Sequence, residues 1–365
     1  MTTEQRVLTA LRCEQPDRVP VFLYLNPYCQ SWYSDEPSYG PVLEACAQYA
    51  DIIYDWYFPS GFFHTAARLE RESRALANGA REDIIHTPAG ELRSLRAPDW
   101  RGGGTLKRWI VDPEDVDCLL SIPFVPSRPD LTPVLNARKQ TRWVVQATFS
   151  DPIGLAGWVD ETTMALWTIE RRDLLRAMLD EASRRILTEL EYCLQHGVGP
   201  IYYFNGPEYA LPPLMSPTDF EEFVVAHDTK LVELIHSYPG NHVIIHSHGR
   251  VSNFLERFAA IGTDGLNVLE PPPIGDTRLA DAKERIGSSV CLIGNIQYDD
   301  IARGDEQSIE RLVAAAIAKG APSGGFILSP CAYPYERSLS EEKSKNLVHY
   351  LKMGRKYGEY PLRHV

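Results

Sequence analysis

The chain is 365 residues long, 44% hydrophobic and 24% charged, with a formal charge of −12. No apolar run approaches the ~18–20 residues that span a bilayer, and the negative balance argues against non-specific nucleic-acid binding, which needs a positive field. The seven cysteines are odd in number and scattered, so no disulfide framework is expected, and the opening Met1-Thr2-Thr3-Glu4-Gln5-Arg6 has no apolar signal core, which makes the cytoplasm the expected location.

Residues 4–13 read as a short helix, stopped by Pro16-Asp17-Arg18-Val19-Pro20. Residues 21–25 read as a buried strand, 42–49 as a helix and 52–54 as the next strand. Residues 60–110 then change character, rich in Arg, Gly and polar side chains, with a hairpin signal around the Pro–Gly turn of residues 83–92. This segment is expected to be an insertion, a lid or docking surface with Arg71, Arg74, Arg81 and Arg93 as candidate contacts. Residues 112–135, rich in proline, read as a surface connection with a short helix.

From Trp143 the rhythm becomes regular. Residues 143–147 form a strand, followed by a long helix whose apolar face is Leu175, Met178, Leu179, Ala182, Ile186 and Leu190. Residues 201–204 form the next strand, and Ser216-Pro217-Thr218-Asp219 starts the next helix with a Ser cap and Pro in the first turn. Strands at 242–245, 265–269, 290–293 and 325–328 follow, each succeeded by an amphipathic helix. Short, nearly all-apolar strands alternating with such helices imply a parallel sheet covered by helices. About eight units in one chain suit a (β/α)8 barrel, an α/β fold forming a single domain over residues 1–365, with 60–110 inserted over the barrel mouth. An open doubly wound sheet is the alternative, but it usually brings a Gly-rich phosphate loop after its first strand, and none is visible.

In a barrel, catalytic groups come from the C-terminal strand ends and the loops after them. Asn205 and Glu208 follow one strand, His246 and His248 the next, then Glu270, Asn295 and Cys331, each from a different unit. The pair His246-x-His248 projects two imidazoles to one side at extended spacing. With the Cys331 thiolate they supply three zinc ligands, and Glu208 is a fourth candidate. Glu208, Asn205 and Asn295 are the candidate catalytic residues.

The runs His246-Ser247-His248-Gly249-Arg250, Gly265-Leu266-Asn267-Val268, Leu292-Ile293-Gly294-Asn295-Ile296 and Gly325-Phe326-Ile327-Leu328-Ser329-Pro330-Cys331, with the opening Ala10-Leu11-Arg12-Cys13-Glu14-Gln15-Pro16-Asp17-Arg18-Val19-Pro20-Val21, resemble the uroporphyrinogen decarboxylase superfamily. The resemblance covers nearly the whole chain and itself implies the (β/α)8 fold. Decarboxylases of the superfamily carry an Arg-rich motif after the first strand to hold substrate carboxylates. Here that place reads Leu23-Tyr24-Leu25-Asn26-Pro27-Tyr28, without arginine. Asp51 resembles the decarboxylase aspartate, and equally fits a structural acid at the barrel end. The corrinoid-dependent methyltransferase branch binds zinc through a His-x-Cys pair and a distant Cys. His246 and Cys331 match that pattern, while His248 stands where Cys is usual and leaves the centre more Lewis-acidic. The resemblance therefore implies Zn2+ as cofactor. It implies methyl transfer between a methylcorrinoid, carried on a partner protein, and a small acceptor such as tetrahydrofolate or a thiol. The alternatives are a decarboxylase-type carboxy-lyase, or a non-catalytic barrel with a degenerate site.

Overall fold

Strands that are apolar on both faces need cover on both sides, and their side-chain parity separates the two covers here. The computed structural model describes residues 1–58, 60–98 and 104–362. Its strands are β1 (Ile52–Tyr57), β2 (Glu70–Ala75), β3 (Arg81–Thr87), β4 (Gly90–Arg96), β5 (Thr105–Lys107), β6 (Trp143–Ser150), β7 (Ile201–Asn205), β8 (His242–Ser247), β9 (Gly265–Val268), β10 (Cys291–Ile296) and β11 (Phe326–Pro330). β1 and β6 to β11 form one parallel sheet in the order β1-β6-β7-β8-β9-β10-β11, curled in the manner of a TIM barrel.

The strand expected at residues 21–25 is reduced to a single bridge, Val21 paired in parallel with Leu328. Pro20 has no N–H to give, and Tyr24 takes φ 57°, which ends the extended run. The short stretch still joins the two sheet edges. Phe22 N–H donates to the Leu328 carbonyl at 2.9 Å, and Asp51 N–H, at the start of β1, donates to the Val21 carbonyl at 2.8 Å.

One parity of the strands, Ile53, Val144, Ile201, Tyr203, Ile244, Ile293 and Ile327, forms an inner core. The other parity packs against the outer helices. The N-terminal helix Thr3–Leu11 sends Val7, Ala10 and Leu11 into the inner core. Full burial of a Val or Leu side chain is worth roughly 1.5–3 kcal/mol, so this helix acts as a plug. Gly265 of β9 makes room for it, since a Cβ there would lie 2.9 Å from Leu11 Cδ2 and 3.0 Å from Ile293 Cδ1.

The helices follow the strands as expected: Arg172–Gln195, Ala226–His236, Leu255–Ile261, Leu279–Ile286, Glu306–Gly320 and Glu341–Tyr357. Ser216 caps its helix by accepting from Asp219 N–H. Among the described residues, no helix is long and apolar enough to cross a membrane.

Strands β2 to β5 form a separate antiparallel sheet. Its β3–β4 hairpin closes with Thr87 opposite Gly90, at the expected turn. Residues 99–103, within the expected insertion, lie outside the described residues, as do 363–365. The four arginines do not stand as a free basic surface. Arg74 pairs with Glu72, Arg81 with Asp83 and Arg93 with Glu82 and Glu91, while Arg71 donates to the Phe63 carbonyl. Acids two residues away or across the ladder sit within reach of each of the three paired guanidinium groups, a pairing that the count of arginines does not convey.

Candidate active site

The inner parity turns polar one step above the inner core. Asp55 of β1, Gln146 and Thr148 of β6, His246 of β8 and Asn267 of β9 continue the inward-facing positions toward the C-terminal strand ends. Asp55 accepts from Gln146 Nε2 at 3.2 Å and from the Thr148 hydroxyl. Protein surrounds this carboxyl although water reaches it, and the desolvation raises its pKa against those two hydrogen bonds.

His246 is held by its neighbours on both sides. Asn267 Nδ2 donates to the Ile293 carbonyl at 3.2 Å, so Asn267 Oδ1 faces the other way. There it accepts from the Tyr203 hydroxyl at 3.0 Å and stands 2.7 Å from His246 Nδ1. An amide oxygen only accepts, so His246 Nδ1 carries the proton and Nε2 keeps its lone pair. Burial, reinforced by the charge of His248, lowers the His246 pKa to about 4. The ring is therefore neutral at neutral pH.

His248 lies beside it, with ring centroids 4.7 Å apart. Its Nδ1 meets Glu270 Oε1 at 3.1 Å, and this bond raises the His248 pKa. Glu270 Oε2 accepts Gly249 N–H at 2.7 Å. Burial alone would push the Glu270 carboxyl up, but the bonds from His248 and Gly249 bring it below its ordinary range. A ligating histidine almost always gives its second nitrogen to a carboxylate or carbonyl oxygen, and both rings have that support. Neither Nε2 has a partner among the described residues.

Glu208 sits in the short helical turn Pro207–Ala210 after β7, and its Oε2 is buried without a hydrogen-bond partner among the described residues. Burial raises its pKa, and the charge of His248 pulls it back down. Cys331, 2% exposed, follows β11 with Sγ 3.8 Å from the Val268 carbonyl. Burial drives its thiol pKa well up, and the charges of Glu270 and Asp300 add to that.

Among the described residues, no three His, Cys, Asp or Glu side chains stand close enough together to hold a metal ion. The donors nevertheless have the chemistry of a zinc site: two supported imidazoles with open Nε2 atoms, a carboxylate oxygen lacking a partner and a buried thiol at the same strand-end face. Asn205 ends β7 half-buried, and its backbone carbonyl accepts from Asp151 N–H at 3.1 Å. Asn295, near the end of β10, lines an outer cleft between this face and the helices.

Asp51 does not belong to this site. It precedes β1, at the N-terminal ends of the strands, where Arg6 Nη1 reaches it at 2.7 Å and Arg18 Nη1 at 2.6 Å. Of its two readings, the structural acid is the one the geometry supports.

Two further buried carboxyls stand behind Glu208. Asp151 Oδ1 accepts Gly154 N–H at 2.9 Å, but its Oδ2 and both oxygens of Asp228 have no partner among the described residues. Burial raises Asp151 well above its ordinary range, with the charges of Asp228 and Glu208 adding to it, and burial raises Asp228 to about 8. The unfolded chain ionises Asp228 near pH ~4. Between there and about 8 the folded protein holds the extra proton, so stability falls as pH rises. Asp228→Asn removes that loss. Its melting temperature relative to the native protein is expected to climb by a few degrees between pH 5 and pH 8. A constant difference across that range would show that Asp228 is ionised in the fold.

A family model described as uroporphyrinogen decarboxylase (URO-D) matches residues 152–350. The chain is 24% identical over 246 residues to a uroporphyrinogen decarboxylase of Chromohalobacter salexigens, covering 62% of this chain and 65% of that one. It is 22% identical over 169 residues to that of Trichodesmium erythraeum, covering 46% and 45%. It thus spans less than two thirds of the length of these relatives. Among solved structures, a methyltransferase from Methanosarcina mazei superposes with a TM-score of 0.61 at 17% identity, covering 98% of this chain and 99% of that one.

Proposed function

Because the chain belongs to the uroporphyrinogen decarboxylase family, we propose that it is a zinc-dependent methyltransferase. It moves a methyl group between a corrinoid on a partner protein and a small acceptor such as tetrahydrofolate or a thiol. The carrying observation is the pair of imidazoles whose Nδ1 atoms face Asn267 and Glu270, leaving both Nε2 atoms open. His246, His248, Cys331 and Glu208 would hold the metal after drawing in from their present positions, in which no three of them stand within ligating reach. Bound there, zinc supplies the Lewis acidity that makes a thiol or a polarised acceptor nucleophilic at neutral pH. Asn267 and Tyr203 fix the His246 ring, and Glu270 fixes His248. Glu208 would take the proton that the acceptor loses, while Asn205 of β7 and Asn295 of β10 would orient the acceptor. We place the barrel closure at Val21 and the carrier contact on the β2–β5 sheet. That sheet's segment leaves the C-terminal end of β1 and returns where Ile110 bridges Val159, just past β6.

A carboxy-lyase of the decarboxylase type is the second reading, favoured by Asp55, a carboxyl of raised pKa among the inward-facing side chains. Two measurements separate the readings. Protein purified without chelator is expected to carry about one zinc per chain and to transfer methyl groups from methylcobalamin to tetrahydrofolate or a thiol. Metal-free protein that releases carbon dioxide from uroporphyrinogen and transfers no methyl group would reverse the assignment.

A further inference from the structure

Above the inner core the sheet encloses open space. Along β1 the outward-facing Tyr54 and Trp56 pack against the outer core, while Asp55 and Tyr57 are exposed, Tyr57 to 53%. Side chains alternate along a strand, so this exposure belongs to the inner side of the sheet, just above Ile53. Asp55 stands in the wall of that space. Gln146 Nε2 and the Thr148 hydroxyl both donate to its Oδ1, and no described residue donates to Oδ2. The carboxylate is thus fixed from one side and open on the other, without any side chain having to move.

No cation answers it. The strands of the parallel sheet contain no Lys or Arg. The pKa of Asp55 follows from burial and from those two hydrogen bonds, with no Lys or Arg lowering it. A zinc ion at the histidines would bring two positive charges and meet two negative ones, from Cys331 and Glu208, so it would not neutralise Asp55 either. A carboxylate this far desolvated is as a rule paired.

Its surroundings are aromatic. Tyr57 follows on the same face of β1. Tyr24 and Tyr203 lie on the inner side too, and both phenols feel the charge of Asp55. Tyr24 takes φ 57°, a region that a bulky side chain enters only under constraint, and such constraint gathers at ligand sites. An open carboxylate among tyrosine rings suits an organic ammonium group. The carboxylate accepts its N–H and pairs with its charge, and ring faces attract the cation. Tyr203 also leads to the histidines, its ring centroid 5.5 Å from that of His246.

We propose that Asp55, with Tyr24 and Tyr57, forms a subsite for a protonated amine, and that the small partner in methyl transfer carries this amino group, held at Asp55 while its reacting end lies across Tyr203 at His246. The second part rests on the function proposed above; the binding does not.

The test uses benzylamine, protonated at neutral pH, and its neutral counterpart benzyl alcohol, titrated calorimetrically into the full chain. The amine is expected to bind saturably, with a dissociation constant in the ~millimolar range of a fragment of its size, and the alcohol to bind about tenfold worse or not at all. Asp55→Asn keeps the shape and removes the charge, and is expected to weaken the amine about tenfold or more while leaving the alcohol unchanged. Tyr57→Ala should weaken the amine about threefold. The comparison of the two ligands in the native protein needs no variant, and Tyr57 is exposed, so the test stands even if Asp55→Asn fails to fold. Absence of saturation, equal binding of the alcohol, or a loss under about threefold for Asp55→Asn would overturn the subsite. Amine binding in a protein that transfers no methyl group would instead refute the proposed function and leave the subsite standing.

Discussion

Substituting His246 by alanine is expected to lower methyl transfer by at least about a hundredfold, since even loss of a residue supporting a metal ligand costs 10–100-fold. The reason lies in how this ring is prepared. Asn267 and Tyr203 fix its orientation and tautomer, and burial keeps it neutral. A free Nε2 lone pair is therefore present throughout the neutral range, without a proton to remove first. Asn267→Ala should produce a smaller loss of the same kind, about tenfold to a hundredfold, with zinc content falling in parallel. Both variants are expected to keep their circular dichroism, because His246 lies at a strand end and outside the inner core. Activity within about threefold of the native protein for His246→Ala, well inside the effect of losing a supporting group, would move the reaction centre away from these strand ends.

At the opposite end of the strands, Asp51→Ala is expected to destabilise the fold by about 3–5 kcal/mol, the cost of breaking a buried ion pair by removing one partner. The Asp51 side chain is fully buried between Arg6 on the N-terminal helix and Arg18 before the bridge to β11, and it also accepts Val21 N–H at 3.1 Å. Its removal leaves two mostly buried guanidinium groups facing each other and frees the plug helix from β1. Denaturant titration should show a lower midpoint with an unchanged slope. Asp51→Asn keeps the shape but loses the charge, and should fall between the two. A midpoint shift for Asp51→Ala worth less than about 1 kcal/mol would mean that the arginines find water, and that the network does not secure the plug.

The alternation of apolar strands with amphipathic helices by itself determines a parallel sheet with helical cover, because both periodicities are local. Residues 279–286 and the hairpin at 83–92 fall where their spacing places them. The same reading puts Asn205, Glu208, His246, His248, Glu270, Asn295 and Cys331 past their strands, taking the first polar residue as the run's end; β7, β8 and β10 in fact continue through Asn205, His246 and Asn295, because backbone pairing with the neighbouring strands does not stop where the apolar side chains do. It passes over Asp55, Gln146 and Asn267. These polar residues lie inside runs such as Ile52-Ile53-Tyr54-Asp55 and Gly265-Leu266-Asn267-Val268, where the departure from an all-apolar strand is the only signal. What the local pattern lacks is register across strands. Only the pairing of His246 with Asn267, two strand neighbours far apart in sequence, decides which imidazole nitrogen is open. Likewise, only the packing of the N-terminal helix under β1 decides that Asp51 serves two arginines and no substrate. A tautomer and an ion pair are set by groups from separate chain segments, and they become defined when the sheet brings those segments together.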